Sequence, residues 1–92
     1  MRGKIILNPQ EEKGDYKFNG IQTVVTRGFI AAFGDEYFEM VLVSLEMINQ
    51  EYGNQADYLQ TFYYELPSGE IRRYWAINDA NMVVTFLLPE EY

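Results

Sequence analysis

Phe38, Val41, Leu42, Leu45, Ile48 and Tyr52 recur at the i, i+3, i+4 and i+7 intervals that line up side chains on one face of an α-helix. Asp35 is a good cap for that helix, and Asp35 with Glu36 complements the positive end of its dipole. Gly53 followed by Asn54 stops it after Tyr52. The pattern predicts a helix over Asp35 to Tyr52 with this stripe facing the core. Farther along, the period drops to two. Ile71, Arg73, Trp75 and Ile77 alternate with Arg72, Tyr74 and Ala76, and Tyr58 to Leu66 precedes them across the turn formers Pro67, Ser68 and Gly69, so the two segments read as a β-hairpin. Asn78 to Asn81 reads as a second turn, and Met82 to Leu88 as a strand that Pro89 terminates. Before the helix, Ile21 to Arg27 is β-branched and reads as a strand, as does the short run Lys4 to Leu7.

This order of elements implies a two-layer α+β domain, with the amphipathic helix covering one face of an antiparallel sheet of about four to five strands. Residues 1–20 divide off as an N-terminal strand and arm, because residues 8 to 20 are rich in charge and turn formers with only Tyr16 and Phe18 as anchors. Residues 21–92 make the single compact domain. The helix also carries Met40, Val43 and Met47 on the side roughly opposite the first stripe, bordered by Glu39, Glu46 and Glu51. Either the arm covers this second stripe or it is a contact surface, since Met-rich patches rimmed by charge adapt to partners.

Charge is segregated along the chain. Eight carboxylates and no Lys or Arg lie between Gly28 and Ile71, and the net charge is −7. Such a field repels polyanions and steers cationic partners, which argues against direct nucleic-acid or anionic-membrane binding. With 92 residues, 48% of them hydrophobic, the chain is one folded domain and too apolar for acidic disorder. The apolar run Ile5, Ile6, Leu7 ends at Asn8 and Pro9, short of the roughly 7 to 15 residues a secretory signal requires, and no segment has the length of a membrane span. A cytoplasmic location is the expectation.

The chemistry is more easily excluded than assigned. There is no His and no Cys, so thiolate chemistry, histidine bases and the usual zinc sites are closed to a single chain. Ser44 and Ser68 have no Lys or His placed to activate them, and glycine-rich phosphate loops and calcium loops are missing. Asp35 and Glu39 fall one helical turn apart, a spacing that on an exposed helix more often marks a solvated face than a metal or acid–base pair. No enzyme activity, metal or cofactor is expected. Arg27, which flanks the acidic block on its N-terminal side as Arg72 and Arg73 do on the other, reads as a structural ion-pair partner for Asp57. The aromatic run Tyr58, Phe62, Tyr63, Tyr64, Tyr74 and Trp75 beside Arg72 and Arg73 resembles a base-stacking sheet in composition, but strand alternation must bury about half of it.

Val25, Thr26, Arg27 and Gly28 at a strand end, then Asp57, Tyr58, Leu59, Gln60 and Phe62, and the closing Leu87, Leu88, Pro89, Glu90, Glu91 and Tyr92 resemble a family of small proteins, domain of unknown function family 960. Its members occur in Gram-positive bacteria, often on phages and integrative or conjugative elements. The resemblance covers residues 21 to 92. The first twenty residues look like an extension, and the polar segment, often with His, that usually follows the hairpin in that family is absent. The family has no assigned activity, so the resemblance implies a fold and a mobile-element context.

Taken together, these features lead us to expect a non-enzymatic acidic module that docks on a protein with a basic surface through Glu39, Glu46, Glu51 and Glu65. An inhibitor acting by nucleic-acid mimicry on a host nuclease would be one such protein. The alternative is an assembly protein that forms a homodimer through Met40, Val43 and Met47. Thr26, Arg27, Gly28 and Asp57 are expected to serve structure.

Overall fold

Alternation along the strands sets two faces on one sheet. The computed structural model describes residues 1–79 and 82–92; the second expected turn runs through Ala80 and Asn81, which lie outside the described residues. Among the described residues the strands are β1 (Lys4–Leu7), β2 (Gln22–Val25), β3 (Leu59–Glu65), β4 (Ile71–Asn78) and β5 (Val83–Leu87), in the order β1-β3-β4-β5-β2. β3 and β4 are the expected hairpin: Gly69, at φ 92°, donates its N–H to the Leu66 carbonyl at 2.8 Å and closes the turn. The sheet is α+β in class and mostly antiparallel. The exception is β2, which lies parallel to β5 and is shorter than its β-branched run.

The run is shortened because Thr26 leaves the sheet and caps a helix. α1 (Arg27–Phe33) was not expected from the sequence; the Thr26 side chain accepts from the Phe29 N–H at 3.1 Å, supplying one of the partners a helix start lacks. A 3-10 turn, Gly34–Glu36, then leads into α2 (Tyr37–Tyr52). Asp35 therefore lies in a turn and caps nothing. The stop at Gly53 is as expected, with φ 58° and its N–H on the Asn49 carbonyl.

Both helices cover the face formed by Phe62 and Tyr64 of β3, Tyr74 and Ala76 of β4, and Val84 and Phe86 of β5, all buried. An aromatic cluster fills this layer. Phe62 stacks on Tyr74 at 4.8 Å, and Phe29 and Phe33 of α1 meet the Tyr74 ring edge-on at 5.3 and 5.5 Å. Phe18, from the N-terminal arm, is also a core residue, and Tyr16 bridges to Ala56, so the first twenty residues build the same core as the rest.

The face that α2 buries is only partly the expected one: Val41 and Ile48 of the expected stripe are core, and Leu45 and Tyr52 pack partly buried against it. Met40, Val41, Ser44 and Ile48 point inward, whereas Phe38 and Leu42 of the expected stripe are 62% and 53% exposed. Ser44 explains the rotation. Its hydroxyl is fully buried and shares a 2.6 Å hydrogen bond with the Tyr74 hydroxyl, so a polar residue sits at the centre of the core face. Burial pushes the Tyr74 phenol far above its ordinary range, keeping it neutral as a hydrogen-bond partner.

Candidate functional site

The outward face of α2 follows from that rotation. Glu39 and Glu46 are seven residues apart, which places them within about 20° of each other around the helix. Phe38 and Leu42 lie beside them, and Asp35 precedes them in the 3-10 turn. The result is an apolar pair set in acid on one solvent-facing ridge. Glu39 also takes the Met1 amine at 3.0 Å, and Glu46 accepts from the Gln50 amide at 3.2 Å.

The four expected acidic residues do not form one face. Glu51 lies at the other side of α2, lining a groove against β1, and Glu65 ends β3 opposite Lys4 in the strand register. Strand and helix geometry separates them: β3 runs beneath the layer that α2 occupies, so its outward-pointing residues emerge on the far side of the sheet. The apolar interface expected at Met40, Val43 and Met47 is also corrected. Met40 is fully buried, and Val43 and Met47 pack partly buried against the core, so the stripe belongs to the interior.

Thr26 and Gly28 meet a residue that the sequence did not single out as their partner. The Glu91 carboxylate accepts from the Thr26 hydroxyl at 2.6 Å, the Gly28 N–H at 3.2 Å and the Leu88 N–H at 2.8 Å, seating an anion on the first turn of α1. Gly28 leaves room for that carboxylate: a Cβ would come within 2.4 to 2.8 Å of the Glu91 carboxyl and the carboxyl would have to move. The Thr26 hydrogen bond is the main reason that the Glu91 carboxyl is held below its ordinary range. Tyr92, next along, reaches Trp75 with ring centroids 5.6 Å apart. Among the described residues no ion pair joins Arg27 to Asp57. Arg27 is exposed, and the Asp57 carboxylate turns back on the Tyr58 N–H at 2.8 Å. The expected ion pair is thereby replaced by helix capping.

A second network ties β1 to the helix layer. The Gly3 N–H donates to the Tyr64 hydroxyl at 2.9 Å, that hydroxyl donates to Glu36 at 3.1 Å, and the Arg2 N–H donates to the same carboxylate oxygen at 2.7 Å. The Arg2 N–H chiefly holds Glu36 below its ordinary value.

The aromatic run is divided as alternation requires. Phe62, Tyr64 and Tyr74 are inside, while Tyr63 and Trp75 occupy the face opposite α1 and α2, with the Arg73 guanidinium 5.5 Å from the Tyr63 ring centre. Arg72 is engaged by Glu70 at 3.2 Å and by the Ala32 carbonyl at the end of α1. The described residues contain no group of three or more acids that could hold a metal, and no helix among them is long and apolar enough to cross a membrane.

No family model, curated protein or solved structure matches the chain.

Proposed function

We propose that the protein is an acidic protein-binding module that docks on a partner with a basic surface, and that the outward ridge of α2 makes the contact. The observation that carries this reading is the placement of Phe38 and Leu42, both more than half exposed, beside Asp35, Glu39 and Glu46. Acids steer a cationic partner toward the ridge, and the apolar pair supplies the desolvated centre that holds it. An apolar pair in that position suits a mixed basic and apolar protein surface better than a channel built only for phosphates, which narrows the mimicry reading. The mobile-element setting remains part of the proposal through the resemblance to domain of unknown function family 960.

The test is kinetic. With a partner recovered by affinity capture and purified, its association rate should fall as salt rises, because exposed charges are screened beyond about 8 Å at physiological ionic strength. Glu39→Gln with Glu46→Gln should lower that rate and flatten its salt dependence. A double variant that associates as fast as wild type in low salt contradicts the reading.

A further inference from the structure

Among the described residues β1 is an edge strand, paired with β3 alone. Asn8 donates its N–H to the Thr61 carbonyl at 2.9 Å, and this fixes the phase of the ladder, since alternate residues of an antiparallel pair bond inward. Lys4 and Ile6 therefore bond toward β3. The N–H and C=O groups of Ile5 and Leu7 point to the open edge, and among the described residues none of these groups has a partner. Natural edges are usually blunted by charge, proline or a bulge; here Lys4 opens the strand and Pro9 lies two residues beyond it, and the edge left between them is the apolar run Ile5, Ile6, Leu7. Beside the edge runs a groove of about 590 Å³ between β1 and α2, lined by Ile5, Leu7, Met47 and Tyr52 with Glu51 at hand.

We infer that β1 accepts an extended cationic segment of the partner as an added strand. The free backbone groups of Ile5 and Leu7 hold its main chain, the groove takes its apolar side chains, and its Lys or Arg residues reach Glu51. This rests on the reading that the partner is basic and adds the form of one contact. Charge selects the occupant: a second copy would bring another body of net charge −7 against the first, whereas a cationic segment is attracted.

Two synthetic probes test it: a capped seven-residue peptide of alternating Val and Lys, which extends, and a Leu–Lys peptide that forms an amphipathic helix. Amide exchange is read by NMR. The extended peptide should slow exchange at Ile5 and Leu7 by about tenfold or more and leave the already bonded Lys4 and Ile6 little changed. Leu7→Pro removes one outward N–H without touching the β3 ladder and should weaken that peptide by about tenfold, with Trp75 emission unaltered. If this variant does not fold, the wild-type exchange result decides alone. Unchanged exchange at Ile5 and Leu7 under excess extended peptide overturns the inference. If the helical probe then perturbs Phe38 and Leu42, the acidic-ridge reading stands without it, and if neither probe binds, both fall. Protection that rises with protein concentration in the absence of peptide, with a doubled mass, assigns the edge to a second copy and also overturns it.

Discussion

Met40→Ala and Leu42→Ala, two residues apart on α2, should differ sharply in cost. Met40 has 0% exposure in a core where Ser44 and Tyr74 are already locked together, so little collapse can fill the space its side chain leaves. Truncating such a side chain costs about 2 to 5 kcal/mol. A domain of this length has a total stability of about 5 to 14 kcal/mol, so the loss is a large share of it. Leu42, with 53% exposure, forgoes only part of the roughly 1.5 to 3 kcal/mol of full burial, and its replacement should cost less than about 1 kcal/mol. Urea denaturation separates the two. At a slope of about 2 kcal/mol/M, Met40→Ala should lower the midpoint by about 1 to 2.5 M and Leu42→Ala by less than about 0.5 M. Equal shifts, or a larger one for Leu42→Ala, would refute the rotation of α2 and with it the outward ridge.

Ser44→Ala should cost about 1 to 3 kcal/mol by leaving the buried Tyr74 hydroxyl unpaired, and adding Tyr74→Phe should recover part of that in a denaturation cycle. Gly28→Ala should displace the Glu91 carboxylate and loosen Tyr92 from Trp75; because Trp75 is the only Trp, its emission reports the change. The lowered Glu36 and Glu91 carboxyls make a contribution to stability that is fully present above their ordinary value of 4.5 and lost as pH falls through their lower folded values. Glu36→Gln and Glu91→Gln together should therefore flatten the fall in denaturation midpoint on acidification below that value.

The hairpin, the helix stop at Gly53 and the α+β class were legible because each rests on local chemistry: period-two alternation, turn residues and a left-handed glycine. The face of α2 was legible in part: Val41, Leu45, Ile48 and Tyr52 meet the core as expected, but Phe38 and Leu42 do not. Apolar residues surround most of that helix, and the side chain that decides its rotation is polar: Ser44 enters the core because Tyr74, thirty residues away, offers it a hydroxyl. The start of the helix layer was misplaced for a related reason. Thr26 and Gly28 sit at the end of a β-branched run, and what makes them a helix start is the carboxylate of Glu91, 65 residues beyond Thr26. The i, i+4 spacing of Phe29 and Phe33 was the available signal for α1, brief because the helix has only seven residues. For the acidic residues the sequence conveyed amount but not arrangement, since an unbroken acidic block maps onto both sides of α2 and the far face of β3.

Carboxyl footprinting of the complex tests the central claim most directly. Asp and Glu side chains are coupled to a small amine with carbodiimide, with and without the captured partner, and each site is quantified by mass spectrometry. Binding through the outward ridge of α2 predicts that Asp35, Glu39 and Glu46 lose reactivity in the complex while Glu11, Glu12 and Glu70 keep theirs. Full reactivity at all three ridge residues in a saturated complex, with protection elsewhere, would contradict the account.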